Sequence, residues 1–169
     1  ICRTILSQPT WAWQGMRVMK PVESISGQDL RDMLATDTTW LEKSSTDIDA
    51  LNVFPVPDGD TGTNMLLTMR SSVEEAYRAP DSSAAAVAHA IAHGALMGAR
   101  GNSGVILSQI WRGLAHGLKD KESFTAADLA DALHEASITA YKGITNPVEG
   151  TILTVMKDVA AAAKTQIKN

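Results

Sequence analysis

An all-α fold of antiparallel helices is what this sequence predicts, and three observations carry the prediction. Apolar residues recur at i, i+3, i+4 spacing in six successive segments. No segment alternates as a half-buried strand does, and no hairpin signal appears. Ala, Leu and Met are plentiful while aromatics supply only 5% of residues, a balance that favours helices over strands.

The first helix is expected from about Gln28 to Ser45, with Leu30, Met33, Leu34 and Leu41 on one face. The second is expected from near Gly62 to about Tyr77, through Met65, Leu66, Met69, Val73, Ala76 and Tyr77. Pro80-Asp81-Ser82 breaks the chain, and Ser82 or Ser83 then caps a third helix reaching Met97. After the interruption Gly98 to Gly104, a fourth helix runs from about Ser103 to Leu118 with Val105, Ile106, Ile110, Trp111 and Leu114. Thr125 caps a fifth, through Leu129, Leu133, Ala136 and Ala140, which stops at Gly143. The sixth starts near Thr151 and carries Ile152, Val155, Met156 and Val159.

The 169 residues suit one domain with a real core, and a composition of 44% hydrophobic and 20% charged residues is ordinary for a globular protein. A net charge of −4 advertises neither a nucleic-acid nor an anionic-membrane partner. The single cysteine, Cys2, excludes an internal disulfide and a cysteine-based zinc cluster. No apolar run reaches the roughly 18 residues of a membrane span. Residues 1–18 lack the apolar stretch of a signal peptide, so a cytoplasmic location is expected. The chain opens with Ile, and Trp11 and Trp13 lie in a segment without periodicity. Residues 1–24 are therefore expected to be a poorly ordered extension, with Met19 a candidate start, and residues 25–169 a helical domain. The last residues carry no helix-stop signal, which suggests that the domain is incomplete.

Short connections make sequential helices antiparallel, so the starts of the second, fourth and sixth helices are expected at one end of the bundle. Those starts are where Gly, Asp, Asn, Ser and Thr concentrate: Pro57 to Asn64, Gly98 to Gly104, and Asn146 to Thr151. A helix N-terminus offers unpaired amides and a partial positive charge, which favour phosphate.

Asn52-Val53-Phe54-Pro55-Val56-Pro57-Asp58-Gly59-Asp60-Thr61-Gly62-Thr63-Asn64-Met65 is the most informative stretch. Asp58 and Asp60 flank a glycine, and two carboxylates so close repel unless a cation lies between them. Oxygen-only ligands suit Mg²⁺, and Asn52 could add a further oxygen. The structural alternative makes Asp58 or Asp60 the N-cap of the second helix. An EF-hand loop counted from Asp58 would need Glu where Met69 stands. The Asp-x-Asp-x-Thr of a haloacid-dehalogenase-type phosphatase needs a buried strand, which Pro55 and Pro57 disfavour. A Walker A loop is absent, so any nucleotide is held by another route.

Gly98-Ala99-Arg100-Gly101-Asn102-Ser103-Gly104 is a glycine-rich turn opening a helix, with no preceding strand as a Rossmann site would require. Arg100 could neutralise phosphate charge or sit as a solvated surface residue. In Asn146-Pro147-Val148-Glu149-Gly150-Thr151, Thr151 or Glu149 could cap the sixth helix, or Thr151 could face the same mouth. His89 and His93 are i, i+4, but without the Glu of a zinc-protease motif or a third ligand they read as surface or half-buried histidines.

Together the first motif, Gly98 to Gln109 and Pro147 to Leu153 resemble the N-terminal, ATP-binding domain of the bacterial fatty acid kinase subunit. That domain is grouped with the nucleotide-binding domain of dihydroxyacetone kinases and the DAK phosphatase-like family. The resemblance covers about Ile25 to Thr165 and implies a barrel of antiparallel helices with ATP at one end. It implies that acidic residues bind two Mg²⁺ ions clamping the phosphates, with Asp58 and Asp60 as metal ligands and catalytic residues. Asn52 is the nearest match to a third family ligand, one residue out of step. Thr61, Gly62, Thr63 and Asn64 become pocket residues, Gly101, Asn102, Ser103 and Gly104 phosphate contacts, and Thr151 a further cofactor-binding residue. The implied function is phosphoryl transfer to a fatty acid presented by a partner protein, with a homodimer as a further expectation. A kinase of a small polyol such as dihydroxyacetone, or a non-catalytic nucleotide-binding helical module, are the alternative functions. Family members continue with further helices and a later loop that closes the pocket.

Overall fold

Ser26 opens the first helix through a reciprocal capping box. Its hydroxyl accepts from the Asp29 amide at 3.2 Å, while the Asp29 carboxylate accepts from the Ser26 amide at 2.9 Å. The structure, a computed structural model, describes residues 22–53, 56–80 and 82–167. Most of the extension expected over residues 1–24 therefore lies outside the described residues.

Six helices follow in order: α1 (Gly27–Ala50), α2 (Thr61–Arg78), α3 (Ala84–Met97), α4 (Gly101–Gly117), α5 (Ala126–Lys142) and α6 (Ile152–Ile167). The fold is all-α, as the spacing predicts. Each helix packs antiparallel on the next. From one end of the α1–α2 pair to the other, Arg31 meets Ala76, Glu42 meets Arg70 and Asp49 meets Gly62. Likewise α4 and α5 pair Gly113 with Ala136 and Gly117 with Ala132. Asp131, early in α5, forms an ion pair with Lys164, late in α6. The core between the helices is built on Leu34, Val87, Ile91, Leu118, Phe124 and Leu153, all fully buried. No helix among the described residues is long and apolar enough to cross a membrane.

The observed boundaries differ from expectation in instructive ways. Helix α1 runs on to Ala50 rather than stopping at Ser45, and α4 starts at Gly101 rather than Ser103. The absence of strands is corrected: β1 (Ile25–Ser26) pairs antiparallel with β2 (Ser123–Phe124), Ile25 opposite Phe124. Two residues are too few to show an alternating pattern. Several residues assigned to apolar faces are exposed: Met33, Tyr77, Val105, Val155 and Val159. Tyr77 shows why, since its hydroxyl donates to Asp32 Oδ1 at 3.1 Å across the α1–α2 surface. Helix α6 instead buries Leu153, Met156 and Ala160.

Arg31 is an unexpected core residue. Its guanidinium donates to the carbonyls of Ala76 and Ala79 at 2.8 Å each, closing the C-terminal end of α2.

At α5, Thr125 and Asp128 form a second capping box, and Lys121 Nζ lies 2.7 Å from Asp128 Oδ1. Lys121 first, then the Thr125 amide and hydroxyl, hold the Asp128 carboxyl at about 2, against its ordinary 3.8. A carboxyl lowered by folding adds stability that is complete above the unfolded value and drains as pH falls toward 2. The melting temperature of Asp128→Asn should therefore fall less than that of the parent between about pH 5 and pH 2. Equal acid sensitivity in the two melts would remove this role from Asp128.

Candidate functional site at the starts of α2 and α4

The loop from α1 to α2 is held by side chains at both of its ends. Asn52 Nδ2 donates to the Val56 carbonyl at 2.7 Å, and Asn52 Oδ1 accepts the Thr61 hydroxyl. Asn52 and Thr61, both expected around the cation or nucleotide, thus close the loop on one another. Asp49, in the last turn of α1, reaches over the loop to the first turn of α2. Its Oδ1 accepts from the Gly62 amide at 2.6 Å and the Thr63 amide at 3.1 Å, and its Oδ2 accepts the Thr63 hydroxyl at 2.7 Å. The Thr63 hydroxyl and these two amides hold the Asp49 carboxyl below its ordinary range.

That contact decides what Asp58 and Asp60 do. Asp60 stands at the N-cap of α2, yet its side chain makes no capping bond. Among the described residues neither the Asp58 nor the Asp60 side chain has a hydrogen-bond partner, although Asp60 is half-buried. Gly59 between them adopts φ +66°, a left-handed conformation that turns the chain sharply. The expectation that the α2 start offers amides to phosphate meets a different arrangement, because Asp49 already fills the Gly62 and Thr63 amides.

The α4 start is open where the α2 start is closed. Its N-cap, Arg100, makes no side-chain cap, so the first-turn amides of Gly101, Asn102 and Ser103 have neither an intrahelical nor a capping acceptor. The Arg100 guanidinium turns back onto the Ala99 carbonyl at 3.1 Å and is exposed. Helices α2 and α4 run parallel here and are tied together. Ser103 Oγ donates to the Thr61 carbonyl at 3.4 Å. Thr68 Oγ1 accepts from the Arg100 amide at 3.2 Å while donating to the Asn64 carbonyl at 2.8 Å. A Cβ on Gly101 would collide with the Asn64 amide, and one on Gly104 with the Thr68 hydroxyl. The uncapped start of α4 thereby lies against the first turns of α2, the helix that Asp58 and Asp60 lead into: a stretch of anion-seeking amides beside the segment that carries two cation-seeking carboxylates.

The third motif is built differently. Thr151 Oγ1 donates to the Val148 carbonyl at 2.8 Å and accepts from the Leu153 amide at 3.3 Å, so it shapes its own helix start. Glu149 accepts from Tyr141 at 3.0 Å, from Thr154 at 2.8 Å and from Lys157 at 3.3 Å. Thr154 first, then Tyr141, lower the Glu149 carboxyl from its ordinary value. Among the described residues, none of Thr151's bonds reaches α2 or α4. The antiparallel return of α5 beside α4, with Gly143 against Gln109, brings the α6 start back toward the same end.

His89 and His93 are exposed, and His93 Nδ1 lies 3.9 Å from Glu75. Among the described residues no group of three or more His, Cys, Asp or Glu gathers as a metal cage. A groove of about 600 Å³ lies between α3 and α4, lined by His89, His93, Arg112 and His116 among others, and holds none of the site residues. The residue missed by sequence reasoning is Asp49. Its signal was an acidic residue in the last turn of a helix, where the macrodipole disfavours negative charge unless another group compensates.

Comparison with known proteins finds relatives over most of this chain. Protein YloV of Bacillus subtilis (strain 168) is 45% identical over 142 residues, covering 84% of this chain and 26% of that protein. Protein SH1689 of Staphylococcus haemolyticus (strain JCSC1435) is also 45% identical over 142 residues, with the same coverage of 84% and 26%. Protein SAUSA300_1119 of Staphylococcus aureus (strain USA300) is 43% identical over 148 residues, covering 88% of this chain and 27% of that protein. The chain spans about a quarter of the length of these curated relatives. The family model of the DAK2 domain matches residues 55–169, which include Asp58, Asp60 and the starts of α2, α4 and α6. With more than half of its length so matched, the chain belongs to the DAK2 domain family.

Proposed function

We propose that residues 25–169 form a nucleotide-binding domain that holds ATP with two Mg²⁺ ions, for phosphoryl transfer to a fatty acid carried by a partner protein. The observation that carries the reading is the pairing of the unpaired Asp58 and Asp60 carboxylates with the uncapped start of α4. Family membership and the fatty-acid-kinase resemblance of the three motifs support it further.

The residues fit the cation chemically. Asp58 and Asp60 are hard oxygen donors whose negative charges no side chain of the described residues satisfies. Bound there, Mg²⁺ supplies neutralisation of the charge carried by the transferring phosphoryl group. The chain's own part is positioning. The first-turn amides of Gly101, Asn102 and Ser103 offer donors to phosphate oxygens, reinforced by the α4 macrodipole. The Ser103 hydroxyl, now on a long 3.4 Å bond to the Thr61 carbonyl, is available to a better acceptor. Gly101 and Gly104 let α4 approach Asn64 and Thr68 closely, which holds these donors against the first turns of α2. Phosphoryl transfer asks little covalent work of a protein, and preorganised charge and position suffice for the role.

Titration calorimetry of ATP into this chain, with Mg²⁺ and then with EDTA, tests the reading. Binding in the micromolar range, about −8 kcal/mol, that vanishes in EDTA is the expected result. Binding indifferent to EDTA, or none in either buffer by a well-folded chain, would overturn it.

A further inference from the structure

An Asp at the N-cap of a helix ordinarily turns its carboxylate onto the N2 or N3 amide of its own first turn. For α2 the N-cap is Asp60 and those amides belong to Gly62 and Thr63. Both are already occupied by Asp49, at separations of 13 and 14 residues along the chain. Asp49 engages both of its oxygens there, Oδ1 on the two amides and Oδ2 on the Thr63 hydroxyl. We propose that Asp49 is a positioning residue: it caps α2 in place of Asp60, and so leaves the Asp60 carboxylate available to a cation.

The electrostatics run the same way. A carboxylate in the last turn of α1 is disfavoured by that helix's own dipole and compensated by the positive start of α2. The contact also bridges the Asp58-Gly59-Asp60 turn, since the Asp49 carbonyl is 3.8 Å from where a Cβ on Gly59 would sit. Take Asp49 away and the Gly62 and Thr63 amides lose their acceptor. The nearest replacement is Asp60, which reaches the capping position once its backbone turns from ψ 4° to the extended range of the Ser26, Ser83 and Thr125 caps and its side chain rotates with it. The fold then survives, but the carboxylate is withdrawn from the cation.

The consequence for metal rests on the nucleotide-site reading; the exchange of caps does not, and the test separates the two. Thermal melts in metal-free buffer are compared for the parent, Asp49→Ala, Asp60→Ala and the double variant. Asp60→Ala should melt within about 1 °C of the parent, and Asp49→Ala about 3 °C lower because Asp60 takes over. The double variant should fall by roughly twice the sum of the two losses, having no cap left. Additive losses would overturn the proposal. In parallel, the Mg²⁺ midpoint for ATP binding should rise about tenfold in Asp49→Ala, with EDTA abolishing binding in the variant and the parent alike. Asp49→Asn, whose side-chain oxygen still accepts both amides, should return the midpoint to within about threefold of the parent. A parental Mg²⁺ midpoint in Asp49→Ala would also overturn it. If the parent itself binds no Mg²⁺–ATP, the functional reading falls alone and the melts decide the exchange of caps.

Discussion

The combined variant Asp58→Ala/Asp60→Ala is expected to weaken Mg²⁺-dependent ATP binding by at least about a hundredfold, some 2.7 kcal/mol, while melting within about 2 °C of the parent. Large functional loss with small structural loss follows from where the two side chains stand. Asp58 is exposed, Asp60 makes no cap, and neither has a hydrogen-bond partner among the described residues. Removing them breaks no contact among the described residues. The small cost that remains is their favourable interaction with the α2 dipole. Asn52 predicts the reverse signature, because its two bonds, to Val56 and Thr61, hold the loop together. Calorimetry paired with thermal melts distinguishes the cases. Retained Mg²⁺-dependent binding in the double variant would remove the carboxylates from the site, and a collapsed fold would make them structural.

Gly113→Leu should be strongly destabilising, costing about 3 kcal/mol or more and lowering the melting temperature by roughly 10 °C. Helices α4 and α5 approach so closely at this point that even a methyl group has no room. A Cβ on Gly113 would lie 2.5 Å from Ala136 Cα and 2.6 Å from the Glu135 carbonyl oxygen. These are backbone atoms of the facing helix, so no rotamer change relieves the overlap and the two helices must separate. One turn further on, Gly117 faces Ala132 with the same lack of space. The small-residue pairs Gly113 with Ala136 and Gly117 with Ala132 therefore set the distance between the helices. Chemical denaturation of Gly113→Leu measures the loss. A change under about 1 kcal/mol would mean that the α4–α5 interface yields easily.

Much of the architecture was legible because it is local. The Ser83 and Thr125 caps join residues three apart, and short-range chemistry of this kind is visible in sequence order; the Ser26–Asp29 box is as local, yet the helix it opens was expected only from Gln28. The six helices were legible from apolar spacing, and the proximity of the α2 and α4 starts from short connections and alternation of direction. What failed was finer. Tyr77, Val155 and Val159 satisfy helical periodicity yet face outward, because the buried stripe depends on which neighbours a helix meets.

The sequence by itself determined the all-α class, the six helices with the caps of α3 and α5, and the clustering of acidic and glycine-rich segments, since each rests on hydrogen bonds or spacing within a few residues. Only the tertiary structure decided which of three aspartates near the first motif would cap α2. It chose Asp49 across 13 residues, and with that choice left Asp58 and Asp60 without a side-chain partner among the described residues. It also sent Arg31 to the end of α2, 45 residues away, and left the start of α4 open. Such contacts depend on how two helices dock, and a helix docks by the shape and burial of its whole face rather than by the identity of any one residue on it.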